Sequence, residues 1–147
     1  MPAPVAAQLE PIAKGALAAA GIQGKNAGDL AKALADVTAQ ALSMFLSQAM
    51  VMPGIPAAAP PPALSGSTVG PGMLMPPPAG GPAAAQLEPL AQAALMSAGI
   101  QGENAPDLAK VIGGALAQGI QLFTSQVMVA PGIAISGLVT TAPGRLM

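Results

Sequence analysis

The chain of 147 residues contains no histidine, cysteine, tryptophan or tyrosine, and only two phenylalanines. Without cysteine and histidine it has no disulfide, no thiol nucleophile, no imidazole base and no zinc or iron–sulfur site of the usual ligand chemistry. Charge is nearly as scarce. Five Lys and Arg stand against six Asp and Glu, 7% of the residues, where an average soluble domain carries roughly 25%. A net charge of -1 leaves no basic footprint for a nucleic-acid backbone. Met-Pro-Ala-Pro-Val at positions 1–5 has neither the positive n-region nor the apolar h-region of a secretory signal, so none is expected. The absence of cysteine is compatible with any redox compartment. Together these counts point away from an enzyme, a cofactor or a metal, and towards a component of an assembly.

What is present is an apolar, alanine-rich chain written twice. Residues 7–55 laid over 85–133, an offset of 78, are identical at 29 of 49 positions. Ala7-Gln8-Leu9-Glu10-Pro11 returns as Ala85-Gln86-Leu87-Glu88-Pro89, and Gly21-Ile22-Gln23-Gly24 as Gly99-Ile100-Gln101-Gly102. With a smaller offset, Pro71-Gly72-Met73-Leu74-Met75 matches Pro143-Gly144-Arg145-Leu146-Met147. Shared low complexity would not preserve so many Gln, Glu, Asn, Asp and Pro positions. Two copies are too few for a solenoid, which needs about three or more; a pseudo-symmetric pair is expected.

Each copy reads as a helical hairpin. A first apolar-periodic segment ends at Gly21 (Gly99), a natural site for a left-handed C-terminal cap. Asn26 (Asn104), with Asp29 (Asp107) three residues on, reads as an N-cap with a capping-box-like acid, and Pro106 falls in the first turn of its helix. The second helix then runs to Ala49 or Met50, where Pro53 (Pro131) stops it. Leu30, Leu34, Val37, Ala41, Phe45 and Ala49 lie on one face, mirrored by Leu108, Ile112, Ala115, Gly119, Phe123 and Val127. Pro11 and Pro89 either open the first helix or kink a longer one starting near Pro4 and Pro82. The expected fold is all-α: a hairpin in 1–52, a Pro/Gly-rich extended arm in 53–82, a second hairpin in 83–130 and a C-terminal arm in 131–147. Short β segments are expected at Leu64–Val69, Ile133–Ile135 and Leu138–Thr140, and an exposed strand edge pairs readily with another chain.

Few residues carry chemistry. Glu10 and Glu88 recur without a cap role, but a first-turn polar residue before proline explains them without acid–base work. Ser47-Gln48 and Ser125-Gln126 recur near the helix ends with no histidine or nearby lysine to activate a serine. Gln40 and Gln118 recur inside the long helix, where a retained amide could fix the register of packed helices. Gly21-Ile22-Gln23-Gly24 follows a helix and lacks a P-loop lysine, so it is a linking turn. Nine methionines, several in Met50-Val51-Met52, Met73-Leu74-Met75 and Leu146-Met147, suit adaptable contact surfaces or plain apolar filling.

No charge occurs between Asp36 and Glu88, nor between Lys110 and Arg145. Contiguous apolar surface on that scale usually marks an interface. Phe45, Met50, Val69, Met73, Leu74, Phe123, Val127, Ile133, Ile135, Leu138, Val139 and Leu146 are the candidate interface residues. The rival cover is lipid. Val111 to Ile135 is a charge-free run longer than the roughly 20 residues a bilayer span needs. Gln118, Gln121, Thr124, Ser125 and Gln126 interrupt it, and no Trp/Tyr belt or Lys/Arg flank anchors it.

In style, the repeat resembles small structural proteins of bacteriophage virions and phage-tail-like particles. Those proteins combine helical hairpins with arms such as Thr68-Val69-Gly70-Pro71-Gly72-Met73-Leu74-Met75 and Thr141-Ala142-Pro143-Gly144-Arg145-Leu146-Met147. The resemblance implies a non-enzymatic structural or cementing subunit, a homo-oligomer or part of a larger protein assembly, located in a virion or assembled particle, otherwise in the cytoplasm. A holin-like or permeabilising membrane-active protein is the alternative.

Overall fold

The computed structural model of the chain describes residues 4–58, 65–76, 81–136, 139–141 and 144–147. Helices α1 (Ala6–Ala19) and α2 (Ala27–Gln48) form the first hairpin, and α3 (Ala84–Ser97) and α4 (Ala105–Gln126) the second. Strands β1 (Ala57–Ala58), β2 (Ser65–Thr68) and β3 (Gly72–Met73) follow the first hairpin. Strands β4 (Met128–Val129), β5 (Ala134–Ser136) and β6 (Val139–Thr140) follow the second.

The helix ends follow from local chemistry. Gly21 and Gly99 take left-handed φ values of 75° and 79°. Each α1-type helix closes with paired bonds, Ile22 N to the Leu17 carbonyl and Gly21 N to that of Ala18, repeated by Ile100 to Leu95 and Gly99 to Met96. Of the two starts expected for the first helix, the structure takes the earlier one. The first helix of each copy begins just after Pro4-Val5 and Pro82-Ala83, so Pro11 and Pro89 lie inside it. The carboxamides of Gln8 and Gln86 accept the N–H of Val5 and Ala83, satisfying donors that the helix itself leaves orphaned. Asn26 and Asn104 do sit at the N-cap positions of α2 and α4, but neither makes a side-chain cap bond. Their backbone sits near φ -96° and -91° with ψ close to zero rather than in the extended region a capping side chain prefers.

The all-α expectation is overturned. The arms build two antiparallel sheets, one of four strands in the order β1-β2-β5-β6 and one of two strands, β3-β4, so the fold is mixed α/β. Each arm folds back on itself in the same register. Ala57↔Thr68 and Ala58↔Ser67 in the first copy correspond to Ile135↔Thr140 and Ser136↔Val139 in the second. The Val51↔Leu74 bridge likewise corresponds to Val129↔Leu146. The two arms then pair with each other, β2 with β5 and β3 with β4. Strands this short are stable only because each finds its partners in the other arm or across its own turn.

Two clusters make up the core. One, between the helices, joins Ala33 and Val37 of α2 to Ala91, Ala94 and Leu95 of α3 and Ala109 and Ile112 of α4. The other joins helix ends to the arms: Ala41, Phe45, Leu74, Leu87, Ile120, Val127, Val129 and Ile133. Between the copies α2 packs chiefly on α3, and among the described residues α1 makes no comparable contact with α4. The relation between copies is therefore a step from one to the next, and not the self-reciprocal contact of a two-fold pair.

Candidate assembly interface

The twelve residues marked from sequence as an interface divide by burial. Phe45, Leu74, Val127 and Ile133 are buried in the core where copy meets copy. They were expected outside because a charge-free stripe looks the same whichever neighbour covers it. Met50, Val69, Met73, Phe123 and Leu146 are exposed, and Ile135 is half-buried. Val139 lies in β6; Leu138 falls outside the described residues.

Equivalent positions of the two copies are covered unequally, and the inequality has a direction. On the side where the first copy meets the second, Ala33, Phe45 and Leu74 are 1%, 4% and 6% exposed. Their counterparts in the second copy, Val111, Phe123 and Leu146, are 66%, 45% and 43% exposed. Val37 and Ala41 are buried while Ala115 and Gly119 are exposed. On the opposite side the sense reverses. Val129 is 3% exposed and Val51 is 41%. Leu87, Ala91, Ala94 and Leu95 of α3 are buried, yet α1 carries Leu9, Ala13, Ala16 and Leu17 at the same places and buries none of them fully.

Part of the exposed apolar surface thus falls at the two ends of the copy-to-copy step. At one end Val111, Leu122 and Phe123 of α4 are exposed, as is Leu146 of the C-terminal arm. There Phe123, Gln126, Val127, Leu146 and Met147 line an open cavity of about 370 Å³. The corresponding ring in the first copy, Phe45, is closed over by Gly81, where a Cβ would come within 2.9 Å of it. At the other end Val5, Ile12, Leu46 and Val51 are exposed. Phe45 and Phe123 touch each other edge-on, ring centroids 5.5 Å apart at 76°.

Polar atoms at the joint between copies are few and matched. Thr68 is buried; its N–H donates to the Ile133 carbonyl, its Oγ1 accepts from Ile133 N and its carbonyl accepts from Gly132 N. Thr140, its counterpart in β6, is exposed. Gly54 and Gly132 share a φ of 92°, so the turn that presents these N–H groups is already formed in both copies.

The residues weighed for catalysis are not gathered. Ser47 and Ser125 are exposed and donate to carbonyls of their own helices, those of Met44 and Leu122. Gln40 and Gln118 are exposed rather than set between packed helices. The Glu10 carboxylate lies 2.7 Å from Lys14 Nζ, and that hydrogen-bonded ion pair, helped by Lys32, holds its carboxyl below the ordinary carboxylate range. Glu88 has Gln92 where Glu10 has Lys14. Among the described residues no group of three acidic, Cys or His side chains could hold a metal ion, and no helix is long and apolar enough to cross a membrane.

Val111, Ile12, Val51, Leu122 and Thr140 belong to the open ends but were not among the residues marked from sequence. The signal that finds them is the repeat itself, read as a comparison of burial between equivalent positions. Comparison with known proteins found no matching protein family, no curated relative and no matching solved structure.

Proposed function

We propose that the chain is a non-enzymatic structural subunit that associates with other protein subunits into a large symmetric particle, of the virion or phage-tail-like kind. The helical hairpins form its body, and the arms knit that body together and reach its edges. The observation that carries this reading is the apolar surface left open on α4 and the C-terminal arm at Val111, Phe123 and Leu146, whose first-copy counterparts Ala33, Phe45 and Leu74 are core. Large exposed side chains gathered on one face mark an interface rather than ordinary surface. The scattered acids and self-bonded serines support a role without chemistry.

Sedimentation velocity at micromolar concentration tests the reading. The purified chain is expected to run as a species heavier than a monomer; a thermostable monomer across the range refutes it. Flotation with liposomes separates the membrane-active alternative: an assembly subunit stays at the bottom of the gradient, and a chain that rises with the lipid overturns the proposal. Mass spectrometry of particles from the source organism is expected to find the chain as a stoichiometric component.

A further inference from the structure

We infer that the chain associates head-to-tail with further copies of itself. In this contact α4, β6 and residues 145–147 of one molecule pack on α1, β1 and residues 50–52 of the next, as the first repeat packs on the second within the chain. The inference rests on the reading of the protein as an assembly subunit and specifies the contact that builds the assembly.

Three observations carry it. The first is strand order. The four-stranded sheet runs first strand, second strand, first strand, second strand, because β1 and β5 are equivalent, as are β2 and β6. The joint between copies is β2 against β5, a second strand against a first. Among the described residues the free edges are therefore β1, a first strand, and β6, a second strand. Each is the partner the other lacks. The smaller sheet repeats the pattern: residues 50–52 bond to 73–75, β3 bonds to β4, and 128–130 bond to 145–147, so that among the described residues 50–52 and 145–147 are outermost.

The second is the helical face. The surface of α3 that receives α2 is Leu87, Ala91, Ala94 and Leu95, and α1 reproduces it residue for residue as Leu9, Ala13, Ala16 and Leu17. The face of α2 that is received is Ala33, Val37, Ala41 and Phe45; that of α4 is Val111, Ala115, Gly119 and Phe123. The two carbons added at Val111 are offset by the three trimmed at Ala115 and Gly119, so the contact keeps its volume to within one methyl group, the kind of change packed surfaces tolerate best. Neither face carries a charge.

The third is the edge chemistry. Across the internal joint Gly132 N and Ile133 N donate to Thr68, and Thr68 N donates back. The counterparts are Gly54 N, Ile55 N and Thr140. Gly54 already holds the same 92° φ as Gly132, and neither Gly54 N nor Ile55 N has a partner among the described residues. Pro56 lacks an N–H, but these bonds come from the two residues before it, so the proline does not obstruct them.

Such a contact joins two different surfaces. It therefore propagates to a ring if the rotation per step closes and to a filament if it does not. Half-blocked molecules test it. Val111→Glu with Leu146→Glu disables one end, and Ile12→Glu with Val51→Glu disables the other; all four positions are exposed in the single chain. Leu122→Glu and Leu46→Glu, also exposed, form a second pair, and far-UV circular dichroism checks that every variant keeps its helix content. In sedimentation velocity the unmodified chain should exceed a dimer, each variant alone should be a monomer, and an equimolar mixture should give a single species of twice the monomer mass. If one half-blocked variant still dimerises alone, the contact is a two-fold through one face; the assembly reading then stands and the head-to-tail inference falls. A mixture that stays monomeric also overturns the inference, and an unmodified chain that is itself monomeric overturns both.

Discussion

Phe45 and Phe123 occupy the same position of the repeat in two environments, and replacing each by alanine separates those environments energetically. Phe45 is 4% exposed and sits in the cluster that joins helix ends to arms. Truncating a phenylalanine so placed costs about 3–5 kcal/mol, from lost transfer energy and the cavity left behind. Phe123 is 45% exposed, so roughly half of that cost applies, about 1.5–2.5 kcal/mol. Loss of the edge-to-face ring pair is common to both variants and cancels in the comparison. The difference, about 1.5–2.5 kcal/mol, corresponds to a gap in Tm of roughly 5–10 °C for a chain of this size. The assay is thermal unfolding by circular dichroism at a concentration where light scattering shows a monomer, repeated at high concentration. Phe45→Ala should then melt lower than Phe123→Ala in the dilute series. Because association stabilises the folded state by mass action, the unmodified chain and Phe45→Ala should gain Tm with concentration and Phe123→Ala should gain less. Equal losses in the dilute series would refute the reasoning, since they would mean the two rings are equally buried in the single chain.

Other substitutions probe other links. Gly113 admits α3 against α4, since a Cβ there would lie 2.9 Å from Glu88 N; Gly113→Val should cost about 1–3 kcal/mol or more in urea unfolding. Gly114, one residue on in the same helix, faces open space, and Gly114→Ala should stabilise by about 0.5–1 kcal/mol through helix propensity. Thr68→Val leaves the buried Ile133 N–H without its hydroxyl acceptor and should cost about 1–3 kcal/mol, with faster hydrogen exchange at Ile133. For Glu10 the sign follows from its lowered folded-state pKa. Its ion pair with Lys14 contributes above the ordinary carboxylate range and is lost as pH falls through the lowered value. The pair lies at the surface, where such pairs contribute little, so Glu10→Gln should leave Tm at pH 7 within error and flatten the small acid-side decline expected of the unmodified chain.

The helical half of this fold was legible because its signals are local. Gly21 and Gly99 stop their helices where the left-handed cap requires glycine, and Pro53 and Pro131 lie just beyond α2 and α4. The sheets were legible only as scattered strand segments. β2 reads Ser-Gly-Ser-Thr and β1 Ala-Ala, compositions with little strand preference of their own. What makes β2 a strand is pairing with β5 of the other copy, as in Gly66 with Ile135, and β1 becomes one only by pairing with β2. The candidate interface shows the same limit more sharply. Phe45 and Phe123 share residue type and place in the pattern, so no local rule distinguishes the ring that is core from the ring that is surface. Only the step from copy to copy does so: α2 packs on α3, and among the described residues α4 packs on no further repeat.

The absence of cysteine makes the decisive measurement a clean one. Thr68 and Ile133 are hydrogen-bonded to each other across the joint within the chain, one step beyond the opposed pair Ser67 and Ala134, and facing strand residues have Cβ atoms about 4.5–5.5 Å apart, near disulfide range. Thr68→Cys with Ile133→Cys should therefore close within one molecule under oxidation, and serves as the control. The corresponding pair across the free edges is Thr140→Cys with Ile55→Cys. That double variant should give a ladder of dimer, trimer and higher bands on a non-reducing gel, while each single variant stays monomeric. Dimers from either single variant, or a double variant that forms no ladder while the control closes, would contradict the claim that the chain is two consecutive steps of a longer head-to-tail array.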